Sequence, residues 1–265
     1  MSQVHPARRA VLVSAGANGL GRVIARAFLA QGDAVHVFDR NPEAVAAFRA
    51  ENPGATASVA DITVPAEVER VFAEADLALG RLDTLVNNAG IAGPVANVED
   101  NDLTGWQQCL DVNLNGHFYV TRLAVPRLKA AQAAGARSTI VNISSTAGLF
   151  GCPMRSAYVA TKWALIGLTK TWAMELGPFG ITANAICPGS INGPRIDRVI
   201  AADAAQRGVS PAAIREMYCR QVSMRDFVEP EDVAAMALYL ASPAGRMISG
   251  QALGVDGHTE GFSAN

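Results

Sequence analysis

Two side chains four residues apart, Tyr158 and Lys162, could together perform acid–base chemistry. They lie in a helical pattern, in which residues at this spacing share one face. An ammonium group beside a phenol favours the phenolate, so a tyrosine with an ordinary pKa of about 10 becomes a usable acid or base nearer neutral pH. Such a phenolate would take the hydroxyl proton of an alcohol while hydride leaves the carbinol carbon. In the reverse direction the phenol would protonate a ketone oxygen.

Two neighbouring serines lie at the end of the strand-like run STIVNISS. Ligands in open α/β sheets bind outside the carboxyl ends of the strands, where a hydroxyl could hold the substrate oxygen. Ser145 is the predicted ligand of that oxygen, and Ser144 is its rival at the same strand end.

A glycine-rich stretch, SAGANGLG at residues 14–21, follows the run AVLV and leads into the helix-like run RVIARAFLAQG. Glycines at such a turn let the backbone approach a pyrophosphate, whose charge the free N–H groups and positive end of the helix favour. Asp39 ends the second strand-like run, AVHVFD, where an acid can bind the adenosine ribose hydroxyls. Its charge would repel a 2′-phosphate, so NAD is predicted over NADP, although Arg40 could offset part of that repulsion. The alternatives are that the glycine-rich turn binds no ligand and that Asp39 is a solvated acid in a turn.

The elements that must position these residues alternate along the chain. Strand-like runs lie at 10–15, 34–39, 55–61, 84–90, 138–145, 181–189 and 251–257, and helical patterns at 19–32, 42–52, 65–80, 103–134, 156–176 and 230–241. Strands that alternate with helices form βαβ units, whose right-handed crossovers build a parallel sheet covered on both faces. The predicted fold is therefore α/β, a doubly wound parallel sheet of the Rossmann type, in a single domain over residues 1–265.

Composition limits the partners. The chain has 265 residues and a formal charge of −2, with no basic stripe, so no nucleic-acid partner is expected. Four widely spaced cysteines form no metal-binding pattern and suit a reducing compartment. The start MSQVHPARRA leads into an apolar run too short for a signal sequence or a membrane span. We therefore expect a cytoplasmic protein that binds a small molecule, with no metal and no membrane contact.

These motifs together resemble the short-chain dehydrogenase/reductase family in its compact single-domain form, and the resemblance covers nearly the whole chain. It is carried by SAGANGLG, Asp39, VADI, NNAG at 87–90, DVNLNG, NISS, Tyr158-Val-Ala-Thr-Lys162 and CPG at 187–189. The resemblance implies four catalytic roles. Tyr158 is the acid/base, Lys162 binds the cofactor ribose and adjusts the tyrosine, Ser145 holds the substrate oxygen, and Asn113 anchors a proton relay. The family spacing also selects Ser145 over Ser144. The alternatives are an exposed Tyr–Lys pair, a loop serine and a capping asparagine.

The resemblance also implies a set of cofactor-binding residues. They are Ser14, Gly16, Asn18, Gly19, Leu20, Gly21, Asp39, Arg40, Asp61, Ile62, Asn88, Ala89, Gly90, Tyr158, Lys162, Pro188, Gly189 and Ile191. For the NNAG turn, the alternative to cofactor binding is a purely structural role.

Two positions depart from the family pattern. Ser14-Ala15 stands for Thr-Gly, and because a Cβ is strained at positive φ, we predict a negative φ at Ala15. Gly193 stands where the family has a threonine that contacts the nicotinamide amide. Those contacts would then fall to backbone groups near Ile191.

The longest departure from strand–helix alternation runs from about residue 194 to 228 and contains two helical patterns. Long insertions that are not linkers are often lids, so we expect this segment to cover the substrate. Arg195 begins it, and Arg155, three residues before Tyr158, should lie at the mouth of the site. Two converging guanidinium groups would suit a carboxylate, sulfonate or phosphate. A bond from Arg155 to a backbone carbonyl or a neighbouring subunit is the alternative.

The helical pattern at 156–176 is apolar around much of its circumference, which predicts a covering partner beyond the sheet. Its large apolar residues are Trp163, Leu165, Ile166, Leu168 and Trp172. The family commonly forms tetramers through this helix and the C-terminal strand, so a homotetramer is expected, with a monomer core as the alternative.

The sequence thus predicts an NAD-dependent oxidoreductase of a small polar secondary alcohol, such as an anionic hydroxy acid, a sugar or a polyol. A 3-oxoacyl reductase is the alternative among enzymes, although Asp39 and the weak charge argue against it. The alternative that is not an enzyme is a catalytically silent protein that senses NAD.

Overall fold

The computed structural model describes residues 8–261, without the side chain of Gln206. Within this range, one seven-stranded sheet has the order β3-β2-β1-β4-β5-β6-β7, and every neighbouring pair is parallel. The strands are β1 (Ala10–Ser14), β2 (Ala34–Asp39), β3 (Thr56–Val59), β4 (Thr84–Asn87), β5 (Thr139–Ile143), β6 (Thr182–Pro188) and β7 (Ala252–Val255). The predicted α/β fold with a doubly wound parallel sheet is confirmed.

The α-helices follow the predicted alternation closely. They are α1 (Gly19–Ala30), α2 (Pro42–Glu51), α3 (Pro65–Leu79), α4 (Leu103–Leu110), α5 (Gly116–Ala133), α6 (Ser156–Leu176), α7 (Pro194–Arg207), α8 (Pro211–Arg220) and α9 (Pro230–Ala241). Several begin with proline in the first turn, where its missing N–H costs nothing. The pattern predicted as one helix over 103–134 contains a π-helical turn, Asp111–Asn115, between α4 and α5.

The sheet is buried on both faces, as the apolar runs of its strands require. Along β1, Val11 and Val13 face a core that includes α1 and α9, whereas Leu12 faces the core formed with α3 and α5. All three valine and leucine side chains are fully buried. This packing on two sides fixes the strand ends, from which the turns of the site emerge.

The helices α7 and α8 lie where the sequence predicts two helices in the segment 194–228. They share a small apolar cluster with the chain that follows them, built on Ile200, Ala204, Ile214 and Phe227. This cluster is separate from the two cores on the sheet. The pair therefore has a packing centre of its own.

In the described part of the chain, no helix is both long enough and apolar enough to cross a membrane. The expectation about a signal sequence concerns the N-terminal stretch MSQVHPARRA, most of which lies outside the described residues.

Candidate active site

The predicted site residues converge on the carboxyl edge of the sheet. The glycine-rich turn follows β1, the NNAG turn completes β4, Ser145 follows β5, and Pro188 ends β6. β1 and β4 are neighbours although β2 and β3 lie between them in the chain, so the strand order reverses at this point. Such a reversal opens a crevice at the carboxyl ends of the strands, where ligands of doubly wound sheets bind.

The turns after β1 and β4 are joined by hydrogen bonds through Ser14. Its hydroxyl is fully buried and accepts the backbone N–H groups of Asn88 and Ala89, at 2.9 and 3.1 Å. The Asn88 amide in turn donates to the carbonyls of Ser14 and Ala15, at 3.2 and 3.1 Å. Ser14 and Asn88 therefore act on the site by fixing one turn against the other, and the hydroxyl of Ser14 is not exposed to a ligand.

The prediction of a negative φ at Ala15 is wrong, because the residue has a φ of +48°. The turn is tightly packed at this point. A Cβ added to Gly21 would lie 2.1 Å from the Ala15 carbonyl oxygen, and one added to Gly16 would lie 2.7 Å from the Cβ of Val37. Because the Ala15 carbonyl must face both Gly21 and the Asn88 amide, the backbone is held in the left-handed conformation despite the alanine Cβ.

Ala15→Gly is therefore expected to raise the free energy of unfolding by about 1 kcal/mol, since glycine removes the strain of a left-handed alanine. Urea unfolding measures the change. Ala47→Gly is the matched control, because Ala47 is exposed inside α2 and its replacement should cost about 1 kcal/mol. If both variants lose stability equally, Ala15 is not strained.

One end of the crevice is formed by the ends of β2 and β3. Asp39 is partly exposed, and its Oδ1 accepts the N–H of Asn41 at 3.1 Å, while Oδ2 has no partner in the described chain. Arg40 is exposed and forms no ion pair with any described carboxylate. Asp61 accepts the N–H and the hydroxyl of Thr63, at 2.9 and 2.7 Å. The free oxygen of Asp39 is thus the group that can accept a ribose hydroxyl.

Ile62 and Gly90, the last residue of NNAG, complete the walls of this crevice. A Cβ on Gly116, the first residue of α5, would lie 2.8 Å from Ile62, which is itself buried. A Cβ on Gly90 would lie 3.5 Å from the Asn113 amide oxygen and 3.6 Å from the Lys162 ammonium nitrogen. The NNAG turn therefore lies directly against the predicted catalytic residues.

Ser145 and Tyr158 lie together at the carboxyl edge, whereas Ser144 does not take part. The Ser144 hydroxyl is buried and donates to the backbone carbonyl of Lys162 at 3.0 Å. The Ser145 hydroxyl is partly exposed and hydrogen-bonds with Tyr158. This arrangement favours Ser145 over Ser144 as the serine that can touch a substrate.

The surroundings of Tyr158 favour its phenolate. Burial by itself raises the pKa of Tyr158, but the positive charges of Lys162, Arg195 and Arg155 and the hydrogen bond with Ser145 outweigh it. The pKa of Tyr158 therefore lies below the ordinary value of a tyrosine. A tyrosine perturbed in this way can exchange a proton nearer neutral pH.

Lys162 is almost fully buried and holds its ammonium group close to Tyr158. Its Nζ donates to the Ile143 carbonyl at 2.8 Å and lies 5.6 Å from the centre of the Tyr158 ring. Burial lowers the pKa of Lys162, and the charge of Tyr158 raises it in part. The bond to the end of β5 fixes the direction in which the side chain points.

Asn113 lies in the π-helical turn and is fully buried. Its amide pairs with the backbone of Ile91, accepting at 2.8 Å and donating at 3.0 Å. It also donates at 3.2 Å to Thr161, whose hydroxyl donates to the Tyr158 carbonyl at 2.8 Å. The wider π turn thus directs Asn113 at the loop after NNAG and at the first turns of α6, as is common for π turns at functional sites.

His117 is a buried residue of this region that sequence reasoning missed. Its Nε2 donates to the Ala89 carbonyl at 2.7 Å, and its Nδ1 has no partner among the described residues. Burial, assisted by the charge of Lys162, lowers the pKa of His117 to about 3, so the ring is neutral. Its spacing of four residues from Asn113 was the available signal, since it places both on one helix face.

Arg155 and Arg195 both lie beside Tyr158. Their guanidinium carbons are 5.2 and 5.9 Å from the centre of the tyrosine ring. Arg155 also donates to the Ala92 carbonyl at 3.2 Å. The hydrogen bond from Arg155 to a backbone carbonyl, which was the alternative expectation, is therefore present as well.

The end of β6 and the start of α7 close the site on its other side. A Cβ on Gly189 would lie 3.1 Å from Asp256, and Ile191 pairs with Val228 in an isolated bridge. Gly193 precedes α7 with a φ of +139°, which only glycine adopts readily. A threonine at this position would be strained, so the chain cannot present the family's side chain here without a change of backbone.

Comparisons with known proteins agree with the motifs. A family model described as enoyl-(acyl carrier protein) reductase matches residues 14–259. D-beta-hydroxybutyrate dehydrogenase of Cupriavidus necator is 36% identical over 254 residues, 94% of this chain and 96% of that protein. The 3-alpha-(or 20-beta)-hydroxysteroid dehydrogenase of Mycobacterium bovis is 39% identical over 254 residues, 95% of this chain and 89% of that protein.

A solved structure extends the likeness to three dimensions. The 3-ketoacyl-(acyl-carrier-protein) reductase from Brucella melitensis, complexed with NADH, has a TM-score of 0.84 and 29% identity, covering 95% of this chain and 98% of its own. The matches span nearly the whole of each protein, and the motifs lie at the carboxyl edge of the same parallel sheet. The chain belongs to the short-chain dehydrogenase/reductase family.

Proposed function

We propose that the protein is an NAD-dependent dehydrogenase that interconverts a small polar secondary alcohol and its ketone. The observation that carries the proposal is the meeting of Ser145, Tyr158 and Lys162 at the carboxyl edge, with the pKa of the tyrosine lowered because the nearby positive charges outweigh burial. The Cupriavidus and Mycobacterium relatives are named as dehydrogenases of a hydroxy acid and of hydroxysteroids, which supports this reaction class.

The turn after β1 fits the pyrophosphate of a dinucleotide. A Cβ on Gly19 would meet nothing within 4 Å, whereas one on Gly16 or Gly21 would collide with neighbouring atoms. The turn is therefore open beside Gly19, next to the first N–H groups of α1, at Leu20 and Gly21, which have no partner inside the helix. A helix N-terminus of this kind suits an anion. Bound NAD would supply the acceptor for the hydride of the substrate.

Other residues of the crevice would hold the rest of the cofactor. Asn18 caps α1 and shapes the pyrophosphate turn. Asp61 and Ile62 would flank the adenine, and Ala89 and Gly90 would line the path to the nicotinamide. Pro188, Gly189 and Ile191 would bound its carboxamide through their backbone, because Gly193 provides no side chain.

The proton of the substrate hydroxyl would move to the Tyr158 phenolate. The Ser145 hydroxyl would donate to the substrate oxygen and hold it beside the phenol, and Lys162 would keep that phenol acidic and bind the cofactor ribose. Asn113 would fix the loop at Ile91 and, through Thr161, the backbone of Tyr158. In the reverse direction the Tyr158 phenol would protonate the ketone oxygen.

NADH formation with purified protein tests the function and the choice of cofactor together. Hydroxy acids, sugars, polyols and neutral secondary alcohols are offered with NAD and with NADP, and turnover with NAD is expected. In Asp39→Ser, the preference for NAD over NADP in kcat/KM should fall roughly thirtyfold, because the change removes about 2 kcal/mol of repulsion of a 2′-phosphate.

Glu43→Gln is the matched control for charge, since Glu43 is exposed in the first turn of α2, four residues beyond Asp39. It removes the same charge without touching the ribose position. An NAD preference that is unchanged in Asp39→Ser, or that falls as much in Glu43→Gln, would contradict the role of Asp39. Absence of turnover in either direction with every substrate would contradict the dehydrogenase.

We also propose that the chain forms a single domain in which the segment at about 194–228 is a lid over the substrate. The separate apolar cluster of α7 and α8 supports it, because a pair with its own packing centre can move as one body. The lid would place Arg195 over the substrate.

We also propose a homotetramer located in the cytoplasm. Leu165, Ile166 and Trp172 are buried inside the protomer, but Trp163 on α6 is 51% exposed and Phe118 on α5 is 47% exposed. Exposed large apolar residues on adjacent helices support a subunit contact at this face. The four cysteines are free, which suits a reducing compartment.

A 3-oxoacyl reductase is the second candidate. The Brucella structure carries that name and holds NADH, so an NAD-type site does not argue against it. Consumption of NADH or NADPH with an oxoacyl thioester separates the two functions, because in a 3-oxoacyl reductase the thioester would be reduced faster than any free hydroxy acid is oxidised. A silent NAD-sensing protein has no support among relatives that are named as dehydrogenases and reductases.

A further inference from the structure

Three cationic side chains surround the ring of Tyr158. The guanidinium carbons of Arg155 and Arg195 and the ammonium nitrogen of Lys162 lie 5.2, 5.9 and 5.6 Å from its centre. The charge of Lys162 lowers the pKa of Tyr158 more than that of either arginine, and its ammonium group is held by the end of β5. The two arginines also lower that pKa, and their position beside the phenol gives them a second use.

The arginine charges are not balanced by the protein. Over residues 8–261, no carboxylate lies within 4 Å of the guanidinium of Arg155 or Arg195. The acids of α7 are already paired elsewhere, since Asp197 binds Arg215 at 3.3 Å and Asp203 binds Arg207 at 2.6 Å. The site thus concentrates positive charge beside the position of the reacting carbon.

Arg155 is only partly satisfied as a hydrogen-bond donor. One terminal nitrogen donates to the Ala92 carbonyl at 3.2 Å, which fixes the side chain. Its Nε is buried and has no partner among the described residues. A buried donor without a partner is costly, so a ligand oxygen that accepts from the guanidinium would be bound favourably.

Arg195 approaches the same place from a different element. It lies in the first turn of α7 and is exposed, and the N-terminus of this helix has no side-chain cap. The uncapped N–H groups add to the positive potential. One cation is thus fixed to the body of the protein at the start of α6, and the second is carried on the proposed lid.

We propose that Arg155 and Arg195 bind a carboxylate of the substrate, so that the substrate is a small hydroxy acid and its product the corresponding oxo acid. The inference rests on the proposed dehydrogenase function and names its substrate class. The planar guanidinium fork matches a carboxylate in two parallel hydrogen bonds. In this arrangement the carbinol oxygen is hydrogen-bonded by Ser145 and Tyr158, and the carboxylate is bound between Arg155 and Arg195.

The test compares each hydroxy acid with its own primary amide, which keeps the size and removes the charge. Four-carbon 2- and 3-hydroxy acids and their amides serve as substrates with saturating NAD. In the unmodified protein, the best acid should exceed its amide in kcat/KM about thirtyfold or more. In Arg155→Gln and Arg195→Gln, KM for the acid should rise about thirtyfold, while KM for the amide stays within about twofold.

Arg198→Gln is the matched control, because Arg198 is an exposed arginine of the same helix and is not one of the cations that lower the pKa of Tyr158. All its constants should be unchanged. Competitive inhibition by butyrate, methanesulfonate and inorganic phosphate distinguishes the anions, and butyrate should inhibit most strongly. The affinity for NAD, followed by protein fluorescence, should be the same in every arginine variant.

Other outcomes overturn the proposal in separate ways. Equal turnover of acid and amide would discard the carboxylate but keep the dehydrogenase. Stronger inhibition by phosphate or methanesulfonate than by butyrate would reject the hydroxy acid in favour of another anion. A loss of NAD affinity in Arg195→Gln would assign that residue to the cofactor. No turnover of any alcohol would be a failure of the proposed function itself, not of the arginine pair.

Discussion

Tyr158→Phe is expected to lower kcat for alcohol oxidation by roughly a hundred- to ten-thousandfold, the range that general acid–base groups contribute. The substitution removes only the phenol oxygen and keeps the ring that packs among Lys162, Arg155 and Arg195. The substrate proton would then have no acceptor at the carbinol oxygen. KM for NAD should change little, because the loss falls on the chemical step.

The control is Tyr239→Phe, which removes a phenol oxygen from a tyrosine on α9 that is 45% exposed. Its kcat should equal that of the unmodified protein. Urea unfolding of both variants checks that the fold is retained. If Tyr158→Phe keeps a tenth or more of the activity, the phenol is not the group that exchanges the proton.

The fold was predictable because its signals are local and repeated. Each strand-like run is short and apolar, each helical pattern is bounded by proline, asparagine or glycine, and the alternation permits few topologies. Val11, Leu12 and Val13 in β1 show why the run is continuous, since successive side chains enter cores on opposite faces. The π turn at Asp111–Asn115 was not predictable, because its residues fit an ordinary helix equally well.

The site was predictable where residue type determines chemistry and unpredictable where tertiary contacts determine conformation. The approach of Arg155 and Arg195 to Tyr158 agrees with the sequence expectation, because α6 and the start of α7 both follow strands that end at one edge. The φ of Ala15 was predicted wrongly, because local sterics favour a negative value while Gly21 and Asn88 impose a positive one.

A second large effect is expected for Lys162→Met, which replaces the ammonium group with a neutral chain of similar length. The positive charge of Lys162 is the largest of the charges that lower the pKa of Tyr158, so its removal should raise that pKa. Alcohol oxidation needs the phenolate, and its rate rises with pH through the pKa of Tyr158. The rising limb should therefore move to higher pH, and the rate at neutral pH should fall about tenfold for each unit.

The measurement is kcat against pH at saturating NAD, because Lys162 is also proposed to bind the cofactor ribose and a weaker cofactor would otherwise disguise the shift. Lys170→Met is the control, since Lys170 lies on the same helix with its ammonium group at the Gly250 carbonyl, and its pH profile should be unchanged. Lys162→Arg retains the charge and should retain most of the low-pH activity.

A profile that keeps its midpoint in Lys162→Met while kcat falls at every pH would mean that Lys162 acts by position alone. Arg155 and Arg195 would then account for the acidity of Tyr158, because they are the other cations that lower its pKa.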